Sequence, residues 1–127
     1  MKRLLLDTEA FIWWDVNDPR LGGHARALIQ DAVDVYVSAA SAWEIVIKEA
    51  LGKLRTSRRP KQAVAESGLV ELPISFEHTE AVRDLPTHHR DPFDRLILAV
   101  GRVEGLAILT SDRLFTLYEL PLIDARA

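Results

Sequence analysis

The chain has no cysteine, which excludes a disulfide framework, a thiolate zinc site and a cysteine nucleophile. It lacks any apolar run near the ~20 residues of a membrane span. After Met1-Lys2-Arg3 only Leu4-Leu5-Leu6 precede Asp7, well short of the apolar stretch of about 7 to 15 residues in a signal peptide. Neither sign of charge dominates: sixteen Lys and Arg face nineteen Asp and Glu, and the net of -3 with 48% apolar residues excludes disorder. Repeats, low-complexity tracts and linkers are absent too. The expectation is one soluble cytoplasmic domain spanning residues 1–127, with no membrane association.

What is present is an alternation of short apolar runs and longer periodic segments. Strands are expected at 4–6, 35–37, 70–74, 106–109 and 120–123. Helices are expected at 8–16, 24–30, 39–51, 60–67, 76–83 and from Asp91 to about Glu104, where Gly105 stops the last one. In the 39–51 helix, Trp43, Ile45, Val46, Ile47 and Ala50 form a broad core face, while Ser41, Glu44 and Lys48 share another. Strand alternating with helix predicts an α/β fold, a parallel sheet covered on both faces.

Four acids fall at the ends of these elements. Asp7 follows the first strand, Asp112 follows the fourth, and Glu44 and Asp94 lie in the early turns of helices. Ligands of open parallel sheets bind beyond the carboxyl ends of strands, the edge to which all four belong. Each acid also has a local explanation. Asp7 and Asp112 suit helix caps, Asp91-Pro92 with Asp94 makes a good helix start, and Glu44 can pair with Lys48.

Taken together the acids raise an electrostatic question. Two carboxylates about 5 Å apart repel by roughly 3 kcal/mol at an effective dielectric near 20. Protons or cations must neutralise such a cluster. Oxygen ligands without cysteine suit Mg²⁺, with Mn²⁺ as a substitute, rather than zinc. The chemistry such a site supports is hydrolysis of a phosphodiester.

The chain resembles the PIN-domain family, in particular the VapC-type toxin ribonucleases of toxin–antitoxin pairs. The resemblance rests on Leu5-Leu6-Asp7-Thr8, on Ser38-Ala39-Ala40-Ser41-Ala42-Trp43-Glu44-Ile45 with Lys48 and Leu51-Gly52-Lys53-Leu54, on His88-His89-Arg90-Asp91-Pro92-Phe93-Asp94-Arg95-Leu96, and on Leu109-Thr110-Ser111-Asp112. It implies a three-layer α/β/α sandwich and a Mg²⁺-dependent endoribonuclease. Asp7 and Asp94 would then be the main metal ligands, with Glu44 and Asp112 completing the set. Thr8 and Thr110 would tune the site through their hydroxyls. Asp91 is an extra acid, read as a helix cap rather than an outer ligand. A homodimer and a cognate antitoxin are implied as partners. Relatives often carry an Arg before the fourth acid; Ser111 stands there instead.

A net negative charge sits awkwardly with RNA as a substrate. Residues 48–61, however, hold Lys48, Lys53, Arg55, Arg58, Arg59 and Lys61 against Glu49, a local +5 that leaves -8 elsewhere. This stretch reads as a solvated loop, a cationic lip for the RNA backbone, or a dock for an antitoxin segment. Arg95, beside Asp94, is placed to reach the cleft. His88-His89 read as a surface loop. Core packing is the default for Phe11, Trp13 and Trp14, but three such side chains on one short helix cannot all face inward, so some of them read as lining a dimer or antitoxin interface. The alternatives to a nuclease are a catalytically silent PIN-fold scaffold, a receiver-type signalling domain, and a haloacid-dehalogenase-type phosphatase.

Overall fold

The computed structural model describes residues 3–127; Met1 and Lys2, which open the basic N-terminal stretch, lie outside the described residues. The chain runs β1 (Arg3–Leu6), α1 (Thr8–Asp15), α2 (Gly23–Asp31), β2 (Asp34–Ser38), α3 (Ala39–Ala50), α4 (Pro60–Glu66), β3 (Val70–Leu72), α5 (Phe76–Ala81), α6 (Pro92–Glu104), β4 (Ala107–Thr110) and β5 (Leu122–Asp124). Two 3₁₀ segments, Val82–Asp84 and Arg113–Leu117, complete it. Every strand pair is parallel, in the order β3-β2-β1-β4-β5. Receiver-type domains follow the order 2-1-3-4-5, so the signalling alternative is excluded.

The leucines of β1 explain the layering. Successive strand residues face opposite sides, and Leu4, Leu5 and Leu6 are all fully buried. Leu4 and Leu6 pack with Phe11, Trp13, Ala25, Ile29 and Val64 on the α1, α2 and α4 side. Leu5 packs with Ile97, Val100, Ile108 and Phe115 on the α6 side. Each such side chain contributes about 1.5–3 kcal/mol. The result is the expected α/β/α sandwich. Helix α6 lies close on β4: a Cβ at Gly101 would meet Ile108 Cδ1 at 2.6 Å. The helix ends at Gly105, whose φ of 67° is the left-handed cap glycine favours.

One expectation changes. Within α3 only Ile45 of the expected core face is buried, whereas Trp43 and Val46 are 59% and 52% exposed. In α1, Phe11 and Trp13 are buried in the core and Trp14 only partly so. Trp13 is covered by the guanidinium groups of Arg20 and Arg126, each 5.0 Å from its ring. No helix among the described residues is long and apolar enough to cross a membrane.

Candidate active site

The strand order reverses between β1 and β4, and the residues leaving these neighbours begin the site. Asp7 follows β1 and its N–H donates to Leu109 O of β4 at 3.1 Å. Asp112 follows β4. Helices α3 and α6 start from the same edge and carry Glu44 and Asp94. All four acids line one cleft of about 520 Å³, together with Thr8, Glu9, Lys48, Lys53, Asp91 and Ser111.

The local explanations of these acids hold alongside their place in the cleft. Asp7 caps α1, its Oδ1 accepting the Ala10 N–H at 2.8 Å, while Oδ2 accepts the Thr110 hydroxyl at 2.5 Å. Asp112 caps the 3₁₀ segment through the Leu114 N–H at 2.9 Å. Asp91 is the cap of α6, accepting from Phe93 and Asp94 at 2.8 and 3.1 Å. Glu44 is 5% exposed, held by the Thr8 hydroxyl at 2.6 Å and by Lys48 Nζ at 2.8 Å. The Ser41 hydroxyl lies 3.0 Å from that of Thr8.

Burial raises the Asp7 carboxyl to about 6, against the pull of the Thr110 and Ala10 hydrogen bonds. Asp94 is raised further, to about 7, first by burial and then by Asp91, Glu44 and Asp7. Lys48 is raised by its hydrogen bond to Glu44. A pocket that holds carboxylates partly protonated near neutral pH has an unmet need for positive charge. Its donors are oxygens, and they fit a hard divalent cation.

His89 corrects the surface-loop expectation. It is buried, and its Nε2 lies 2.8 Å from Asp112 Oδ2 and 3.1 Å from Asp94 Oδ2. Among the described residues, His89, Asp94 and Asp112 form the one group whose ligand-type atoms all lie within 4.8 Å of one another. Asp7 and Glu44 share the cleft without joining that group. The sequence signal was a histidine two residues before a helix cap, indistinguishable there from its exposed neighbour His88.

The basic residues divide. Lys48 and Lys53 line the cleft. Arg55 and Arg59 are exposed but outside it. Arg58 is a correction: it pairs with Asp15 and Glu66. Arg95 is another: its guanidinium donates to the carbonyls of Pro86, His89, Val82 and Leu85 and so braces the loop before α6. Arg20 and Arg126, distant in sequence from the basic stretch, line the cleft instead.

The comparisons agree with this architecture. Solved structures that match over nearly the whole chain include the following three. VapBC2 of Rickettsia felis, bound to a promoter DNA fragment, has a TM-score of 0.71 at 16% identity, covering 95% of this chain and 97% of its own. DNA-bound VapBC of Salmonella typhimurium has 0.70 at 19%, covering 98% of each chain. A toxin–antitoxin complex from Klebsiella pneumoniae has 0.67 at 18%, covering 96% and 97%. No curated protein matches the sequence. The PIN domain model matches residues 4–119, a span that contains every acid of the cleft, and the chain belongs to the PIN domain family.

Proposed function

We propose that the chain, as a single domain over residues 1–127, is a divalent-metal-dependent endoribonuclease and the toxin of a toxin–antitoxin pair. The observation that carries this is the cleft in which Asp7 and Asp94 are pushed to about 6 and 7 beside Glu44 and Asp112. Asp7 and Asp94 would be the main ligands of Mg²⁺ or Mn²⁺, with Glu44 and Asp112 completing the donor set. When bound, the ion lowers the pKa of an attacking water and neutralises charge developing on the phosphate. Glu44, fixed by Thr8 and Lys48, orients that water. Thr110 keeps Asp7 ionisable. Lys48, Lys53 and Arg126 on the walls attract the RNA backbone.

The description of structural neighbours as VapBC and toxin–antitoxin complexes supports an antitoxin partner. So do the exposed apolar residues Trp43, Val46 and Leu51, which also suit a homodimer. With RNA as substrate, the site of action is the cytoplasm. The test is cleavage of RNA by purified protein with Mg²⁺ or Mn²⁺, stopped by chelation and by Asp94→Asn in a variant that folds normally. Wild-type protein that binds a partner but cuts no RNA with either ion would favour the silent scaffold.

A further inference from the structure

His89 is gripped on all sides. Its Nδ1 accepts the Asp91 N–H at 3.2 Å, which assigns the ring proton to Nε2, the nitrogen facing the acids. Its own N–H donates to the Tyr118 hydroxyl at 2.8 Å, which in turn donates to Pro86 O at 2.8 Å. Its carbonyl accepts from Arg95 at 3.2 Å. Its ring meets Phe115 edge-on, with centroids 5.8 Å apart. A side chain held this way cannot turn, so its donor has a fixed address.

That address lies between two carboxylates that would otherwise repel. We infer that His89 is a positioning residue: its Nε2–H donates to Asp112 Oδ2 at 2.8 Å, with Asp94 Oδ2 alongside at 3.1 Å, and it is not itself a ligand of the ion. A ligating histidine offers its lone pair to the metal and donates its other N–H to a carbonyl or carboxylate. Here the polarity is reversed, since Nδ1 faces a backbone donor and Nε2 carries the proton. That hydrogen bond fixes Asp112 at both oxygens, because Leu114 N–H already holds Oδ1. The position of the fourth acid is then set before any cation arrives. The inference rests on the metal-dependent nuclease proposed above and names a residue that prepares its site.

The experiment compares wild type, His89→Gln and His89→Ala, with Mn²⁺ alone as the probe. Binding is followed by electron paramagnetic resonance, nitrogen coordination by electron spin-echo modulation, and folding by circular dichroism. Glutamine presents an N–H close to the place of Nε2; alanine presents none. The alanine variant is expected to lose about 10–100-fold in Mn²⁺ affinity, the usual cost of an outer-shell partner. The glutamine variant is expected to stay within about threefold of wild type. Wild type is expected to show no directly bound nitrogen.

Equal affinity in all three proteins overturns the inference. So does a nitrogen coupling in wild type that vanishes in His89→Gln, which would make His89 a ligand. A glutamine variant as weak as alanine, though folded, also overturns it, by reducing the histidine to packing. If His89→Ala fails to fold, His89→Leu, which fills the space without a donor, takes its place on the same terms. Wild type that binds Mn²⁺ with the expected variant pattern but cuts no RNA sinks the nuclease alone. Wild type that binds no Mn²⁺ sinks both.

Discussion

The Thr110 hydroxyl donates to Asp7 Oδ2 at 2.5 Å, joining residues 103 positions apart. The contact exists because β1 and β4 are neighbours, so Asp7, just after β1, lies beside Thr110, the last residue of β4. Thr110 also accepts the Asp112 N–H at 3.0 Å, so one hydroxyl links two of the four acids.

Thr110→Val removes that donor while keeping the branched shape. The burial that raises Asp7 then acts with less opposition. The pH midpoint for Mn²⁺ binding should move up by roughly one unit, since a hydrogen bond to a charged group is worth about 1.5 kcal/mol or more. Mn²⁺ titrations across the neutral range read this directly. An unmoved midpoint would show that the hydroxyl does not govern Asp7.

Stability without metal should depend on pH in an unusual direction. Asp7 and Asp94 are raised from 3.8 to about 6 and about 7. Between those values the folded chain holds more protons than the unfolded one, so stability falls as pH rises through the window. Asp7 alone accounts for about 3 kcal/mol over its displacement. Thermal melts of chelated protein should show a falling Tm from about pH 5 to pH 7.5. Mg²⁺ should restore Tm at the upper end and do little at the lower. A Tm that climbs across this window and ignores Mg²⁺ would contradict the account.

Asp94→Asn should separate stability from function. The amide is neutral and similar in shape, so it relieves the repulsion from Asp91, Glu44 and Asp7. Chelated variant should therefore melt above chelated wild type near pH 7.5, and Mg²⁺ should no longer raise its Tm. RNA cleavage should fall further than the roughly 10–100-fold typical of outer-shell partners. A variant that melts lower than wild type without metal would mean that crowding is not what raises Asp94.

The acids were legible in the sequence because strand ends and helix starts are local patterns. Leu4–Leu6 before Asp7, and Asp91-Pro92 before Asp94, announce both the element and the edge it faces. The partners of long side chains are not local. His88 and His89 look alike in sequence, yet Tyr118, from the far side of β4, takes the second into the interior and leaves the first exposed. Arg95 follows Asp94, but consecutive helical residues point about 100° apart, so it faces the loop rather than the cleft. The apolar residues of α3 look like core, and Trp43 and Val46 are not; hydrophobicity alone does not distinguish a core face from an exposed one.

Arg58 and Arg126 invite opposite outcomes. Arg58 is tied to Asp15 and Glu66, so Arg58→Ala should lower Tm while leaving RNA affinity nearly unchanged. Arg126 lines the cleft, as does Lys53, and neutralising both should weaken RNA binding and flatten its dependence on salt by roughly 0.7 for each phosphate no longer neutralised. Fluorescence anisotropy with a catalytically inactive background, at several salt concentrations, distinguishes the two. A salt slope that changes only with Arg58 would reverse the assignment.

Lys48 offers the sharpest sign test, because it serves two ligands of opposite charge. Its ammonium lies 2.8 Å from Glu44 Oε2 at the wall of the acidic cleft. As a resident cation it competes with a divalent ion, and as a wall charge it attracts phosphate. Lys48→Met keeps the stem and removes the charge. Mn²⁺ affinity should rise and RNA affinity should fall, each by about fivefold, the worth of ~1 kcal/mol for one partly screened charge. Isothermal titration with Mn²⁺ and anisotropy with RNA measure the two arms separately. Changes of the same sign in both arms would mean that Lys48 acts by holding Glu44 in shape rather than through its charge.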